Sequence, residues 1–291
     1  MFVDRALHPR GAVPAQAGHR VRWSVLVPFF NERDCLDTTL ESLAAQTVRP
    51  RVILIDNAST DGSAAIASAT CHRLELDYEL LTEPRPGKVA ALALGLTRVA
   101  TPYVATCDAD TWYPPHYLAE AQRILERGNA VAGAFFVPPT ADARTRRREA
   151  RRIAATAMLL RGQCHTGGAG QAFRTEALRR AGGFDPHRWG YVLEDHEVIH
   201  RVMKHGSMRY AYGLWCCPSP RERDRASIRW TLAERLLYCV AAPVAGDWFF
   251  YRFLATRLRA RRLTSERIRE RQFQDVGRIA SPLGANPYPV R

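Results

Sequence analysis

The sequence predicts an α/β protein whose central, mainly parallel sheet is covered by helices on both faces. The chain has 291 residues, 46% of them hydrophobic and 24% charged, which is enough to bury a core without disulfides or a structural metal. In the first half, short apolar runs alternate with helical segments of about 10–15 residues. Parallel strands joined by helices need crossover connections, which place helices on both faces of the sheet.

The elements of the first half follow one another in a regular order. The apolar run over 21–27 predicts a buried strand that ends at Pro28, and the polar residues Asn31 and Asp34 are typical of a helix start. The further predicted elements are a strand over 51–55, a helix over 59–69, a strand over 78–81, a helix over 88–99, a strand over 103–107, a helix over 115–127 and a strand over 130–137.

Polar and acidic residues collect where these strands end. Sheets of this kind bind their ligands outside the carboxyl ends of the strands, so we expect a binding site at this edge. The residues concerned are Asn31-Glu32, Asp56-Asn57, Glu83-Pro84 and Asp108-Ala109-Asp110.

After about residue 140 the strand–helix rhythm changes. The pattern predicts an Arg-rich helix, a Gly-rich loop, two further helices, a strand and a long basic helical region. In the same order, these segments are 144–161, 167–170, 175–181, 191–204, 207–215 and 225–271.

Positive charge is the unusual feature of the composition. The chain has 42 Lys and Arg against 29 Asp and Glu, a net charge of +13, and only Lys88 and Lys204 are lysines. The arginines concentrate in 144–152, 221–235 and 252–271. Such an excess indicates an anionic partner, which could be nucleic acid, an acidic lipid surface or a phosphorylated small molecule. A codon bias toward arginine is an alternative explanation.

The cysteines and the apolar segments indicate a cytoplasmic protein. Seven scattered cysteines without a C-x-x-C pair are typical of buried thiols in a reducing compartment. Residues 1–20 lack the apolar region of a secretory signal, and the apolar stretch 236–245 is too short to span a bilayer. We therefore expect a cytoplasmic chain, with contact to a membrane surface as an open alternative.

Two common nucleotide-binding classes are excluded by missing motifs. The first strand is followed by 28–34, PFFNERD, which lacks the G-x-G-x-x-G turn of dinucleotide-binding enzymes. Gly87-Lys88 lacks both the earlier glycine and the following Ser or Thr of a P-loop. Dehydrogenase and P-loop NTPase functions are therefore not expected.

Asp108-Ala109-Asp110 is the sharpest positive signal. Residues two apart on an extended chain point to the same side, so both carboxylates face one place. Carboxylate oxygens suit Mg²⁺ or Mn²⁺, and a hard cation there could hold a diphosphate. An exposed Asp-x-Asp turn is the alternative.

Taken together, the motifs resemble those of family 2 glycosyltransferases with the GT-A fold. The resemblance covers about 22–220. The motifs that carry it are Val25-Leu-Val-Pro-Phe-Phe-Asn-Glu32, Ile53-Leu-Ile-Asp-Asn-Ala-Ser-Thr-Asp-Gly-Ser63, Gly87-Lys88, Cys107-Asp-Ala-Asp110, Gly170-Gln-Ala-Phe-Arg174, Gly182-Gly-Phe-Asp185 and Leu193-Glu-Asp-His-Glu197.

The resemblance implies roles for the residues at the sheet edge. It places Lys88 near the base or diphosphate, Asp108 at the ribose or metal, and Asp110 as the principal metal ligand. The residues that would line the nucleoside pocket are Pro28, Glu32 and Asp56. The alternative for Asp56 is a strand-end turn residue that caps the next helix, and the alternative for Lys88 is a solvated cation at a helix start.

Glu194-Asp195 supplies the catalytic carboxylates under the same resemblance. Transfer to a hydroxyl needs a base within hydrogen-bond reach of the attacking O–H group. The resemblance favours Asp195 as this base, with Glu194 positioning the acceptor or the metal site. The alternative is that both residues only place negative charge in the first turn of a helix.

The chain also departs from the family pattern in two places. No His follows His205, so the third metal ligand stays open. The Q-x-x-R-W motif of processive enzymes has only a partial match at 226–230, which indicates single addition. Arg221 would then lie near the site, where its guanidinium can compensate the charge of the diphosphate.

Trp112 and Trp189 could stack on a sugar or belong to the core.

The sequence therefore predicts three segments. Residues 1–21 form a disordered lead-in, and a GT-A domain spans 22–220. This domain consists of a nucleotide-binding half, 22–137, and an acceptor half, 138–220. A basic helical extension over 221–291 follows.

The expected activity is hexosyl transfer from a nucleotide-diphosphate sugar to an acceptor hydroxyl, with inversion and with Mn²⁺ or Mg²⁺ as cofactor. No nucleic acid partner is expected, because the acidic residues mark the catalytic edge. Contact with an anionic membrane surface through the basic C-terminal helices stays open. The alternatives are a sugar-1-phosphate nucleotidyltransferase and a non-catalytic nucleotide- or membrane-binding module.

Overall fold

A computed structural model describes residues 10–11, 21–160, 162–219 and 230–264. The strands are β1 Arg10–Gly11, β2 Trp23–Phe29, β3 Arg51–Asp56, β4 Tyr78–Thr82, β5 Tyr103–Thr106, β6 Thr111–Trp112, β7 Val131–Phe136, β8 Gln171–Arg174 and β9 Met208–Pro218. The α-helices are α1 Leu36–Ala44, α2 Ser63–Arg73, α3 Lys88–Thr97, α4 Tyr117–Glu126, α5 Ala143–Leu159, α6 Thr175–Arg180, α7 Glu194–Val202, α8 Leu232–Trp248 and α9 Ala255–Ala260. Phe249–Leu254 forms a π-helix between α8 and α9.

The strands form one sheet with the order β1-β4-β3-β2-β5-β8-β7-β9-β6. Strands β4, β3, β2 and β5 are parallel, as predicted, so their carboxyl ends meet at one edge. Strand β8 runs antiparallel between β5 and β7, while β9 is parallel to β7. The edge that carries the predicted site therefore continues from the parallel half into the mixed half.

Helices cover both faces of the sheet because successive strand residues point to opposite sides. On β3, Val52 and Leu54 pack with α1 and α2, whereas Ile53 and Ile55 pack with α3 on the other face. Helix α4 joins the first layer, and α6 and α7 join the second. The three-layer architecture predicted from the sequence is confirmed.

The structure differs from the predicted elements in two places that matter for the site. The strand β8 was not predicted, because four residues directly after a Gly-rich loop give too short a pattern. Helix α7 begins at Glu194 rather than at residue 191, because Leu193 has a left-handed backbone with φ of 64°. Glu194 and Asp195 thus occupy the first turn of the helix.

The C-terminal helices pack against the domain. Thr231 and Glu234 form a capping box at the start of α8. The buried faces of α8 and the π-helix share a hydrophobic cluster with Trp189, which is 1% exposed. The core interpretation of Trp189 is therefore confirmed. The predicted helical segments 225–229 and 265–271 lie outside the described residues.

The cysteines and helices agree with the sequence predictions. All seven cysteines are free thiols, and five of them are buried. Among the described helices, none is both long enough and apolar enough to cross a membrane.

Candidate active site

Three side chains from distant parts of the chain meet at the predicted sheet edge. Lys88 begins α3, Asp108 follows β5, and Glu194 begins α7. The Lys88 Nζ lies 2.5 Å from Asp108 Oδ1 and 3.8 Å from Glu194 Oε1. Burial alone would lower the pKa of Lys88, but the carboxylates of Asp108 and Glu194 raise it above its ordinary value. This cluster holds a fixed positive charge between carboxylates.

The side chain of Asn57 fixes the loop that leads to Lys88. Its amide donates to the carbonyl oxygens of Glu83 and Arg85, each at 2.8 Å, and its Oδ1 accepts from the Gly87 N–H at 2.9 Å. Gly87 has φ of 119°, a conformation that favours glycine. Asn57 was noted in the sequence only as a strand-end residue, so its role in positioning Lys88 was missed.

The residues predicted to line the nucleoside pocket lie at the ends of β2 and β3. Pro28 is buried and opposite Ile55 in the sheet. Asp56 is buried, and its Oδ1 accepts from the Ser59 N–H at 2.9 Å, which stabilises the turn after β3. Asp56 does not cap α2, because the N-cap of α2 is Gly62 and no side chain caps it. The buried Glu32 lies in the same region, since its backbone N–H donates to Ser63 Oγ at 2.8 Å.

Hydrogen bonds from neighbouring elements hold the Asp108-Ala109-Asp110 segment. The Thr39 hydroxyl lies 2.9 Å from the carbonyl oxygen of Ala109. The Asp108 N–H donates to the Tyr113 hydroxyl at 2.9 Å, and that hydroxyl donates to the Ala169 carbonyl at 3.0 Å. Sequence reasoning missed Tyr113, because nothing in the local pattern shows that a buried phenol would join two distant loops. The phenol of Tyr113 thus links the acidic turn to the Gly-rich loop.

The Gly-rich loop passes close to the charged cluster. A Cβ added at Gly168 would lie 3.1 Å from Lys88 Nζ, and one added at Gly167 would lie 3.6 Å from Asp195 Oδ2. The Gly168 carbonyl accepts from the Thr106 hydroxyl at 2.6 Å. At Gly167 the tighter limit is the Phe136 ring, which an added Cβ would approach to 3.0 Å.

Glu194 and Asp195 have different environments. Asp195 Oδ1 accepts from both the backbone N–H and the ring Nδ1 of His196 at 2.9 Å. The Gln171 side chain, from β8, donates to the Asp195 carbonyl oxygen at 3.2 Å. Leu193, with its left-handed backbone, sets the direction in which the pair enters the site.

These environments shift the pKa values of the two carboxyl groups in opposite directions. Burial raises the pKa of the Glu194 carboxyl to about 7, although the Lys88 ammonium partly opposes the rise. Burial would also raise the pKa of Asp195, but the charge and hydrogen bonds of His196 lower it. Asp195 is therefore ionised at neutral pH, and Glu194 is close to its midpoint.

The donor chemistry at the acidic turn fits a hard cation only in part. Asp108 and Asp110 offer oxygen ligands of the type that Mg²⁺ and Mn²⁺ prefer. Within the residues that the structure describes, however, no three His, Cys, Asp or Glu side chains form a group that could hold a metal. A cation held here would take its remaining oxygen ligands from a bound diphosphate or water.

Two further predicted site residues can be placed only in part. Arg221 lies outside the described residues, but the backbone N–H of Ser219 donates to the Asp110 carbonyl at 2.8 Å. The chain therefore passes the acidic turn two residues before Arg221. Trp112 is half-buried, and its ring centroid lies 5.8 Å from that of Trp215.

The fold is the GT-A fold of glycosyltransferases. The chain aligns with a mannosyltransferase of Pyrobaculum calidifontis, solved in complex with GDP-Man and Mn²⁺, with a TM-score of 0.62 and 21% identity over 83% of this chain and 75% of that chain. It also aligns with S. aureus TarS 1-349 in complex with UDP-GlcNAc, with a TM-score of 0.53 and 16% identity over 75% of this chain and 64% of that chain. These likenesses establish the GT-A fold.

Sequence comparison then gives the family. Residues 24–182, more than half of the chain, match the profile of Glycosyl transferase family 2, and the chain belongs to this family. This confirms the resemblance seen in the sequence motifs.

Curated relatives cover the chain to different extents. The uncharacterized glycosyltransferase YaiP of Escherichia coli K12 is 26% identical over 78% of the chain. The undecaprenyl-phosphate 4-deoxy-4-formamido-L-arabinose transferase of Serratia proteamaculans is 30% identical over 38% of the chain. The matched regions span 59% of the first relative and 35% of the second.

Proposed function

We propose that the protein transfers a hexosyl group from a nucleotide-diphosphate sugar to an acceptor hydroxyl, with inversion at the anomeric carbon. The observation that carries this proposal is the cluster of Lys88, Asp108 and Glu194, with Asp195 at its side. It supplies a fixed cation for a diphosphate and an ionised carboxylate for a hydroxyl proton at one sheet edge.

The donor would occupy the carboxyl ends of β2, β3 and β5. Pro28, Glu32 and Asp56 would line the nucleoside pocket, since they lie at or just beyond the carboxyl ends of the neighbouring strands β2 and β3. Lys88 would approach the diphosphate, exchanging part of its interaction with Asp108 for phosphate oxygens. Arg221 would add a second positive charge, which the path of the chain beside Asp110 favours.

Asp195 would act as the general base. Its Oδ1 is held by His196, and its Oδ2 lies near the glycine loop, where an acceptor can approach. The acceptor oxygen forms a bond to the anomeric carbon as the bond to the diphosphate oxygen breaks, and the hydroxyl proton passes to Asp195. Attack opposite the leaving group inverts the configuration. Glu194 would position the acceptor and Lys88.

Asp108 and Asp110 would hold a divalent cation together with the donor diphosphate. Such a cation, Mn²⁺ or Mg²⁺, supplies positive charge that stabilises the departing nucleoside diphosphate. The support for this is the oxygen donor pair at the sheet edge and the Mn²⁺ named with GDP-Man in the Pyrobaculum calidifontis structure.

We also propose that the protein acts in the cytoplasm and touches an anionic membrane surface. The seven free thiols favour a reducing compartment. The arginine-rich segments favour anionic lipid headgroups over nucleic acid, because the site that faces the donor is acidic.

A panel of nucleoside diphosphates tests the donor proposal. Melting temperatures of the wild type and of Asp110→Asn are measured with UDP, GDP, CDP and dTDP, each with and without Mn²⁺. We expect one diphosphate to stabilise the wild type only when Mn²⁺ is present, and Asp110→Asn to lose this effect. Stabilisation by a nucleoside triphosphate with a sugar 1-phosphate would instead favour a nucleotidyltransferase. No turnover with any donor would favour a non-catalytic module.

A further inference from the structure

Exposed apolar side chains concentrate on two helices outside the active site. Of the ten large hydrophobic residues that are exposed in the described part of the chain, seven lie on α5 and α8. On α5 they are Met158 and Leu159, and on α8 they are Leu232, Leu236, Val240, Val244 and Trp248.

The residues on α8 form a stripe along its outer side. They recur at every fourth position, so Leu232 to Val244 stay on one side of the helix. Val240 is 74% exposed and Val244 is 86% exposed, whereas Tyr238 and Ala242 on the inner side are buried in the cluster around Trp189. The stripe is therefore additional to the face that α8 needs for packing.

Helix α5 carries a second exposed apolar surface, and the segment that follows it reaches α8. Only Ala150 is buried among its 17 residues, and its last turn exposes Met158 and Leu159. The segment after this turn contacts α8, because the Gln163 side chain donates to the Cys239 carbonyl at 2.9 Å. We name the exposed residues Ala154, Ala155, Met158 and Leu159 of α5, together with the stripe of α8, the α5–α8 face.

Positive charge borders the α5–α8 face. Arg151 and Arg152 on α5, and Arg235 on α8, are exposed. The carboxylates of these two helices are compensated by cations. Glu149 pairs with Arg152, the buried Glu234 with Arg257 and Arg261, and Asp247 with Lys204. An apolar stripe with a basic border matches the surface of a bilayer that contains anionic lipids.

We propose that the α5–α8 face docks on such a bilayer, with both helices lying in the plane of the headgroups. A second copy of the chain fits this face less well, because its basic border would meet a like charge. Residues 162–167 follow α5 and connect this face to the proposed base, because Gln163 contacts α8 and an added Cβ at Gly167 would lie 3.6 Å from Asp195 Oδ2. Delivery of an acceptor from the membrane to Asp195 rests on the proposed function.

Vesicle flotation tests the proposal. The wild type is mixed with phosphatidylcholine vesicles that contain or lack phosphatidylglycerol, at low and high salt. We expect binding to the anionic vesicles only, and weaker binding at high salt because the arginine contribution is screened. Equal binding to both vesicle types, or binding to neither, would overturn the proposal.

A pair of matched variants assigns the binding to the face. Val240→Asn with Val244→Asn should weaken vesicle binding by about tenfold or more, because two apolar side chains no longer enter the headgroup region. Val21→Asn with Tyr212→Asn, which changes two exposed apolar residues outside these helices, should leave binding unchanged. Melting temperatures close to that of the wild type are expected for both variants and would show that both fold. Unchanged vesicle binding by the variant with Val240→Asn and Val244→Asn would contradict the proposal. A wild-type dimer that forms without lipid, and that this variant abolishes, would also contradict it.

Discussion

The ammonium group of Lys88 lies 2.5 Å from the carboxylate of Asp108, although the two residues belong to different strand–helix units. Lys88 begins α3 after β4, and Asp108 lies just beyond the end of β5. The parallel arrangement of the sheet brings them together, because it places all the strand ends at one edge. The same ammonium faces Glu194, so one cation joins the proposed donor and acceptor parts of the site.

Replacing Lys88 should weaken donor binding more than folding. We expect Lys88→Met to reduce the affinity for the nucleoside diphosphate by about 10–100-fold, because a charge-assisted contact to phosphate is lost. Isothermal titration measures this affinity. Lys204→Met is the matched control, since Lys204 pairs with Asp247 instead of facing the site. Equal effects of the two substitutions would contradict the assignment.

A methyl group at residue 168 should disturb catalysis while leaving the fold intact. The Cβ of Gly168→Ala would lie 3.1 Å from Lys88 Nζ, the end of a flexible side chain that can move aside. We expect a fall in kcat/KM of about tenfold with little change in melting temperature, because Lys88 loses its position. A wild-type kcat/KM in Gly168→Ala would show that the glycine loop does not determine the position of the Lys88 side chain.

Asn57 should be important for stability and for the position of Lys88. Removing its amide in Asn57→Ala leaves the Glu83 and Arg85 carbonyls and the Gly87 N–H without this partner, which should cost about 2–4 kcal/mol of unfolding free energy. Urea unfolding measures the loss. Asn57→Asp keeps the acceptor for Gly87 but presents oxygen to two carbonyls, so it should also be destabilised. A change below about 0.5 kcal/mol in both variants would contradict this role.

The protonation of Glu194 should make stability depend on pH. Because its folded pKa is raised to about 7, the native state retains a proton that the unfolded state releases at lower pH, and stability falls as pH rises from about 4.5 to 7. Gln cannot ionise, so this loss should be absent in Glu194→Gln. We expect the variant to melt about 3 °C or more above the wild type at pH 8 and close to it at pH 4.5. A Glu194→Gln variant that melted above the wild type at pH 4.5 but close to it at pH 8 would contradict the raised pKa.

The sequence was sufficient to locate the edge of the site, but not the contacts that fix it. The end of β3 at Asp56 and the acidic turn that follows β5 could be predicted directly, because short apolar runs define parallel strands. The bonds made by Asn57 and Tyr113 could not, since each joins segments whose approach depends on the whole sheet. Arg221 stays a prediction from the sequence.

The fold was predicted better than the helix faces. Strand β8 was missed because its four residues follow a glycine loop, and the start of α7 was misplaced because Leu193 interrupts the helix with a left-handed conformation. On α8, Leu236 is exposed and Tyr238 is buried, yet both belong to one apolar run. Only the packed structure shows which side of such a run is left uncovered.

The rate of sugar transfer by Asp195→Asn is the decisive measurement. It is made with the donor that the nucleotide panel selects, alongside the donor's dissociation constant and the same measurements for Glu194→Gln. We expect Asp195→Asn to lower the transfer rate by about 10²–10⁴-fold with donor affinity nearly unchanged, because only proton removal from the acceptor is lost. A variant that transfers sugar at the wild-type rate would contradict the proposed role of Asp195, and with it the proposed mechanism.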